Sequence, residues 1–134
     1  MIGVLLVTHG EIGTALLASA SQILGGAPQQ VTTLSVWRQD DPDDLVLRGQ
    51  ELLERLDAGD GVLVLTDIFG ATPGNVASRL LDDGHVEGVS GVSLPMLLRV
   101  LTGRNGSLSA AVKRALSGGA EGVVHMNSDR CLDA

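Results

Sequence analysis

Short apolar runs and longer helical stripes alternate along the whole chain. The apolar runs are rich in valine and leucine, and they cover residues 4–8, 31–37, 62–65 and 86–92. Runs of this length and composition predict β-strands, and the first and third are apolar enough to be buried on both faces. The segments between them carry apolar residues at a spacing of three or four, which predicts α-helices.

Glycine and proline mark the ends of five predicted helices, which cover residues 12–24, 42–56, 73–81, 95–102 and 108–116. Asp41 is the predicted N-cap of the second helix, with Pro42 at its first position. Thr72 and Pro73 are predicted to begin the third helix in the same way. Such a cap accepts a hydrogen bond from a free amide, and proline at the first position has no amide to lose. The glycines at 118–119 are predicted to stop the fifth helix.

Strands and helices that alternate in this way predict a doubly wound α/β fold. Its sheet is mostly parallel, its crossovers are right-handed and its helices cover both faces. The flavodoxin-like order 2-1-3-4 makes the first and third strands neighbours whose connections leave in opposite directions. A short last strand is predicted at residues 122–126, before a polar tail at 128–134 without an evident element. The chain shows no linker or repeat, so we expect one domain over residues 1–134.

Composition and charge narrow the classes of partner. Hydrophobic residues make up 44% of the chain, so its length of 134 residues is enough for a core. The net charge is −7 and Lys113 is the single lysine. Nucleic acid is therefore not an expected partner, because its binding needs clustered cations. A partner with a basic contact surface agrees better with this charge.

The single cysteine, Cys131, excludes an internal disulfide and favours a reducing compartment. The amino terminus starts with a strand, without the basic and then apolar layout of a signal peptide. No apolar run approaches the roughly 20 residues of a membrane helix. We therefore expect a cytoplasmic protein, with contact to a membrane only through a partner.

An ionisable residue follows the first strand and another follows the third. His9 comes directly after Thr8 at the carboxyl end of the first strand, and Asp67 comes directly after Thr66 at the end of the third. In the predicted strand order both face one crevice at the carboxyl edge of the sheet. Asp67 is expected to accept a hydrogen bond from Nδ1 of His9, which leaves Nε2 as a nucleophile for a phosphoryl group. The hydroxyls of Thr8, Thr66 and Thr72, with helix amides, are expected to hold the phosphoryl oxygens.

Three motifs resemble the enzyme IIA domain of the mannose family of the bacterial phosphoenolpyruvate-dependent sugar phosphotransferase system. They are Thr-His-Gly at 8–10, Thr-Asp-Ile-Phe-Gly-Ala-Thr-Pro-Gly-Asn at 66–75 and Gly-Val-Ser-Leu-Pro-Met-Leu at 91–97. The resemblance covers most of the chain and implies a phosphoryl carrier without a cofactor or metal. It implies that phospho-HPr phosphorylates His9, that enzyme IIB receives the group, and that Asp67 is the carboxylate partner.

The expected phosphoryl-binding set is made of Thr8, Gly10, Thr66, Gly70, Thr72 and Ser93, all of which lie in the three motifs. Thr72 stands where the family often has serine, and Ser93 where asparagine is common. Family members are homodimers in which a carboxyl-terminal strand crosses to the partner's sheet, and residues 122–126 would be that strand. A carrier for a separate sugar transporter and a regulatory carrier both remain open.

Three other interpretations compete with the carrier. A histidine phosphatase would need an arginine before His9, where Thr8 stands. A metal site would combine His9 with His85, His125 or Cys131, although no metal-type spacing links them. A module that binds a partner without phosphoryl transfer is the third. A nucleotide switch is disfavoured, because no P-loop or Gly-x-Gly-x-x-Gly pattern is present.

Overall fold

The computed structural model describes residues 1–129, which form a four-stranded, all-parallel sheet with helices on both faces. The strands are β1 (Gly3–His9), β2 (Val31–Val36), β3 (Val62–Thr66) and β4 (Val86–Ser90). The helices are α1 (Ile12–Leu24), α2 (Pro42–Leu56), α3 (Thr72–Leu80), α4 (Leu94–Leu101), α5 (Leu108–Glu121) and α6 (Met126–Asp129). The strand order is β2-β1-β3-β4, so the predicted fold class and order are confirmed.

Alternate residues of the central strand β1 divide the core into two layers. Val4 and Leu6 pack with α1, α4 and α5, whereas Leu5 and Val7 pack with α2 and α3. All four side chains are fully buried. Each such side chain contributes about 1.5–3 kcal/mol through burial, which explains why the first apolar run is almost uninterrupted.

The helix starts agree with the predicted caps at one position and differ at another. Asp41 caps α2, and its Oδ1 accepts a hydrogen bond from the Asp43 amide at 2.9 Å. The N-cap of α3 is Ala71 instead of Thr72, so that prediction was wrong by one residue. The Asn75 amide donates to the Ala71 carbonyl at 2.8 Å, so the first turn of the helix begins one residue before the predicted position. Within the described part of the chain, the Thr72 hydroxyl makes no hydrogen bond.

The fifth helix does not stop at its glycine pair and continues to Glu121. A Cβ atom built on Gly118 would lie 2.8 Å from Cβ of Arg99 and 3.2 Å from Cα of Met96, both in α4. Gly118 therefore lies inside the helix because it lets α5 approach α4 closely. Its role as a stop signal was wrong, since the packing of two helices cannot be seen in the local pattern.

The predicted last strand is absent from the described residues. The chain turns at Gly122, residues 123–125 form no regular element, and α6 follows at Met126–Asp129. The prediction was wrong for the single chain because these residues find no strand neighbour in it, and a strand needs paired amides and carbonyls. Part of the predicted polar tail is thus helical, and Cys131 lies outside the described residues. No helix within residues 1–129 is both long and apolar enough to cross a membrane.

Arg104 holds the amino edge of the sheet together. It is buried, and its Nη1 donates to the carbonyls of Ile2 at 3.2 Å and Gln29 at 2.7 Å. Its own carbonyl accepts a hydrogen bond from the Ile2 amide at 3.0 Å. Burial lowers the pKa of Arg104 from its usual value, because desolvation disfavours the charged form. The loop between α4 and α5 is thereby tied to the starts of β1 and β2.

Replacing this arginine tests its structural role. Arg104→Met should lower the free energy of unfolding by about 2 kcal/mol, since the carbonyls of Ile2 and Gln29 lose a charged donor. Denaturant unfolding followed by circular dichroism measures the change. Arg48→Met is the matched control, because Arg48 is exposed on α2. Equal destabilisation by both substitutions would contradict this role for Arg104.

Candidate active site

The carboxyl edge of the sheet brings an imidazole and a carboxylate into contact. His9 is the last residue of β1, and Asp67 follows the last residue of the neighbouring strand β3. Nδ1 of His9 lies 2.8 Å from Oδ2 of Asp67, and the His9 backbone amide donates to the same oxygen at 3.0 Å. The predicted contact between these two side chains is therefore present.

The carboxylate is held in place from both sides. The second oxygen of Asp67, Oδ1, accepts a hydrogen bond from the Ile68 amide at 3.1 Å. The Asp67 side chain is 10% exposed, whereas that of His9 is 49% exposed. A fixed carboxylate that accepts from Nδ1 favours the tautomer with the proton on that nitrogen. Nε2 then keeps its lone pair, and because the His9 ring as a whole is half-exposed, this nitrogen can act as a nucleophile.

An open cleft of about 440 Å³ lies beside the imidazole. It is lined by His9, Val36, Trp37, Arg38, Asp40, Pro42 and Thr72. Thr72 is exposed at the start of α3, so its hydroxyl is available to a group bound next to His9. Of the predicted phosphoryl-binding residues, Thr72 is the one that lines this cleft together with His9.

The other two predicted hydroxyls have different surroundings. Thr8 is 1% exposed, and its Oγ1 accepts a hydrogen bond from the Gly13 amide at 2.8 Å, inside the protein. Thr66 is 4% exposed and lines a second cleft of about 200 Å³, together with Phe69 and Ser90. Neither threonine lines the His9 cleft, so the predicted hydroxyl set is divided between the scaffold and the site.

The remaining predicted residues shape the backbone around the site. Gly10 has a φ of +47°, in the left-handed region that favours glycine, and its amide donates to the Val36 carbonyl at 2.9 Å. Gly70 has a φ of +90° in the exposed turn before α3. Ser93 is the N-cap of α4, and its Oγ accepts from the Met96 amide at 3.3 Å. Ser93 and Gly70 are not among the residues that line the His9 cleft.

The segment after β2 forms one wall of the cleft, and sequence reasoning missed it. The sequence pattern predicts Trp37 as the end of the second strand and residues 38–44 as an acidic loop that leads into a helix, whereas β2 ends at Val36. The signal was available, because the predicted order 2-1-3-4 makes β2 a neighbour of β1. The carboxyl end of β2 therefore had to lie beside His9, as the pairing of His9 with Val36 shows.

The alternative of a metal site requires that other histidine, cysteine or acidic side chains lie close to His9. Within residues 1–129, no group of three or more histidine, cysteine or acidic side chains is arranged to hold a metal ion. His85 precedes β4 at the amino edge of the sheet, opposite to His9, and His125 follows α5. His85 therefore lies away from His9, and neither of these histidines is among the residues that line the His9 cleft.

The fold and the site define a doubly wound α/β protein with a histidine–aspartate pair at the switch point of its sheet. The sequence profile of the EIIA-man family, described as "PTS system fructose IIA component", matches residues 3–116. The chain belongs to this family.

Individual relatives agree with that assignment. The chain is 34% identical over 125 residues to the PTS system mannose-specific EIIAB component of Escherichia coli, which covers 91% of this chain and 38% of that protein. It is 31% identical over 103 residues to the fructose-specific EIIA component of Bacillus subtilis, covering 76% of this chain and 70% of the relative. The chain thus spans about two-fifths of the length of the mannose-specific relative.

A solved structure has the same fold over almost the whole chain. The phosphotransferase system component EIIA from Streptococcus agalactiae superposes with a TM-score of 0.84 at 26% sequence identity. The match covers 96% of this chain and 99% of the other.

The tautomer of His9 provides a direct test of the carboxylate contact. In the wild type, neutral His9 should carry its proton on Nδ1, and Asp67→Ala should remove this preference because the acceptor is lost. The ¹⁵N chemical shifts of the two ring nitrogens report the tautomer. Asp83→Ala is the control, since Asp83 is an exposed acid at the opposite edge of the sheet. An unchanged tautomer in Asp67→Ala would contradict the assigned hydrogen bond.

Proposed function

We propose that this chain is a phosphoryl carrier of the phosphotransferase system. His9 accepts a phosphoryl group from phospho-HPr and passes it to a histidine of enzyme IIB, for sugar uptake or for its regulation. The observation that carries the proposal is the 2.8 Å contact between Nδ1 of His9 and Asp67, at the carboxyl edge of a sheet in a member of the EIIA family.

The transfer needs no group beyond the two proteins that exchange the phosphoryl. The Nε2 lone pair of His9 attacks phosphorus, the bond from phosphorus to the donor atom of HPr breaks, and its electron pair stays with HPr. The ring then carries a phosphoryl on Nε2 and a proton on Nδ1, and the adjacent Asp67 carboxylate stabilises its positive charge. Transfer to enzyme IIB repeats the same steps in reverse, with His9 as the leaving group.

The surroundings of His9 suit a group that moves between proteins. The half-exposed ring is accessible to a second protein, and the Thr72 hydroxyl is available to donate to a phosphoryl oxygen. Ile68 and Phe69 are 54% and 83% exposed directly after Asp67, so a docking protein would find an apolar surface there. We propose HPr and enzyme IIB as these partners, in the cytoplasm, with residues 1–134 acting as one domain.

We also propose that the chain forms a homodimer through its carboxyl-terminal segment. Val123, Val124 and Met126 are 85%, 50% and 80% exposed, and β4 is an edge strand that pairs with β3 alone among the described strands. A Cβ on Gly122 would lie 2.5 Å from Cβ of Pro95, so the segment starts beside α4, near the carboxyl end of β4. Pairing with β4 of a second copy would bury these side chains and satisfy the edge.

The mass in solution tests the dimer. Light scattering after size exclusion should give about twice the chain mass of 13.8 kDa, and Val123→Asp combined with Val124→Asp should shift the protein to the monomer. The charged residues would oppose burial of the segment. Leu47→Asp is the control, because Leu47 is 60% exposed on α2. A wild-type protein that remains monomeric at high concentration would refute the dimer.

Phosphorylation by purified components tests the carrier function. With phosphoenolpyruvate, enzyme I and HPr, the wild type should gain one acid-labile phosphoryl group, and His9→Ala should gain none because its nucleophile is missing. Intact-mass spectrometry at alkaline pH measures the gain. His85→Ala is the control, since His85 is exposed at the opposite edge of the sheet, and it should be labelled like the wild type.

Two further results would decide against this function. Asp67→Ala should slow the labelling at least about 10²-fold, because support for the ring charge is lost, and equal rates would refute that role for Asp67. Label that persists on His9→Ala would move the site elsewhere in the chain. Steady release of inorganic phosphate from a phosphate ester by the protein alone would favour the histidine-phosphatase alternative.

A further inference from the structure

The segment that follows β2 passes directly beside His9 and is held there by several contacts. His9 pairs with Val36 in the sheet, and the Gly10 amide donates to the Val36 carbonyl at 2.9 Å. A Cβ atom on Gly10 would lie 3.3 Å from Cζ3 of Trp37, so the indole packs against the backbone next to the imidazole. Arg38 follows immediately and lines the same cleft as His9.

A tight turn fixes the point from which Arg38 leaves the backbone. The Trp37 amide donates to Oδ2 of Asp40 at 2.8 Å, and the Asp40 amide donates to the Trp37 carbonyl at 3.0 Å. These two bonds enclose Arg38 in a closed loop that is anchored on one side by the sheet. The position of its Cα is thus set by the fold, while its exposed side chain lines the cleft.

The charges around His9 leave Arg38 as the cation for an incoming anion. Arg38 is the single arginine or lysine among the described residues that line the cleft; Asp40 is the acid that lines it, and Asp67 is the acid that contacts His9. The Arg38 guanidinium forms no ion pair or hydrogen bond within residues 1–129, whereas Arg79, on α3, is paired with Asp43 at 2.9 Å. Arg38 can therefore take an anionic partner without breaking an existing interaction.

We propose that Arg38 binds the phosphoryl group carried by His9, its guanidinium donating to the phosphoryl oxygens. The inference rests on the proposed function, since it concerns the phosphorylated state of the same site. Phosphorylation adds roughly two negative charges beside the Asp67 carboxylate, in a chain whose net charge is already −7. A guanidinium offers a planar pair of donors that matches phosphoryl oxygens and neutralises part of that charge.

The consequence concerns the balance between the free and the phosphorylated protein. Arg38 has no anion to bind in the free protein, so its interaction favours the phosphorylated form. The residue takes part in no bond-making or bond-breaking step.

Arg38→Gln should lower the equilibrium constant for transfer from phospho-HPr by about tenfold. Arg38→Lys keeps the positive charge but lacks the planar pair of donors, so its equilibrium constant should lie between those of the wild type and Arg38→Gln. Arg55→Gln is the control, because Arg55 is exposed in the last turn of α2, about 20 Å along the helix from Pro42.

A second measurement reads the phosphoryl group itself, without a protein partner. The protein is phosphorylated chemically with phosphoramidate, and the ³¹P shift of the phosphohistidine is followed against pH. A nearby guanidinium favours the dianion, so Arg38→Gln should raise the pKa of the phosphoryl group by about half a unit to one unit. Arg55→Gln should leave this pKa at the wild-type value, and Arg38→Lys should again be intermediate.

Each outcome separates the inference from the function on which it rests. A wild-type protein that takes no phosphoryl group on His9 overturns the proposed function and the inference with it. If the wild type is phosphorylated on His9, but Arg38→Gln and Arg55→Gln have the same equilibrium constant for transfer and the same phosphoryl pKa, the inference alone is overturned. A change in transfer from HPr with an unchanged phosphoryl pKa assigns Arg38 to contact with HPr, which also overturns it. Raised pKa and lowered equilibrium constant in Arg38→Gln, with neither change in Arg55→Gln, support it.

Discussion

The site depends on the double pairing of β1, with β2 on one side and β3 on the other. Its register sets Val7 opposite Thr66 and His9 opposite Val36, so the carboxyl ends of three strands finish at one level. Asp67 then comes within hydrogen-bond reach of His9 as a consequence of sheet geometry. The connections after β1 and β3 lead to helices on opposite faces, and this divergence leaves the space above the imidazole open.

The three threonines at this edge show how burial divides similar side chains between structure and chemistry. Thr8 is buried in β1, and its hydroxyl satisfies the Gly13 amide in the first turn of α1, where loss of this hydrogen bond would cost about 1 kcal/mol. Thr66 is buried at the end of β3. Thr72 is exposed and has no capping bond, so its hydroxyl remains available to a ligand. Thr8, next to His9 in sequence, thus has its hydroxyl bonded inside the protein, whereas Thr72, far from His9 in sequence, lines the cleft.

The errors of sequence interpretation share a physical cause. A glycine such as Gly118 can end a helix or can lie inside one where a second helix packs closely. The sequence around it is the same in both cases, and only the approach of α4 distinguishes them. Residues 122–126 have a strand-like composition, but a strand forms only where a neighbour offers hydrogen bonds. Trp37 continues the strand pattern by one residue beyond β2 and Arg38 lies in the connection that follows, so their place beside His9 follows from the strand order and not from their own pattern.

The amino-acid sequence by itself determined the alternation of strands and helices, the cap at Asp41 and the presence of a histidine and an aspartate at two strand ends. These features are local, because hydrophobic periodicity and capping act over a few residues. Tertiary structure alone decided that Nδ1 of His9 lies 2.8 Å from Asp67, that Thr8 serves the scaffold and that Arg38 lines the cleft. Distances and burial depend on how segments far apart in the chain pack against each other, and no short stretch of sequence contains that information.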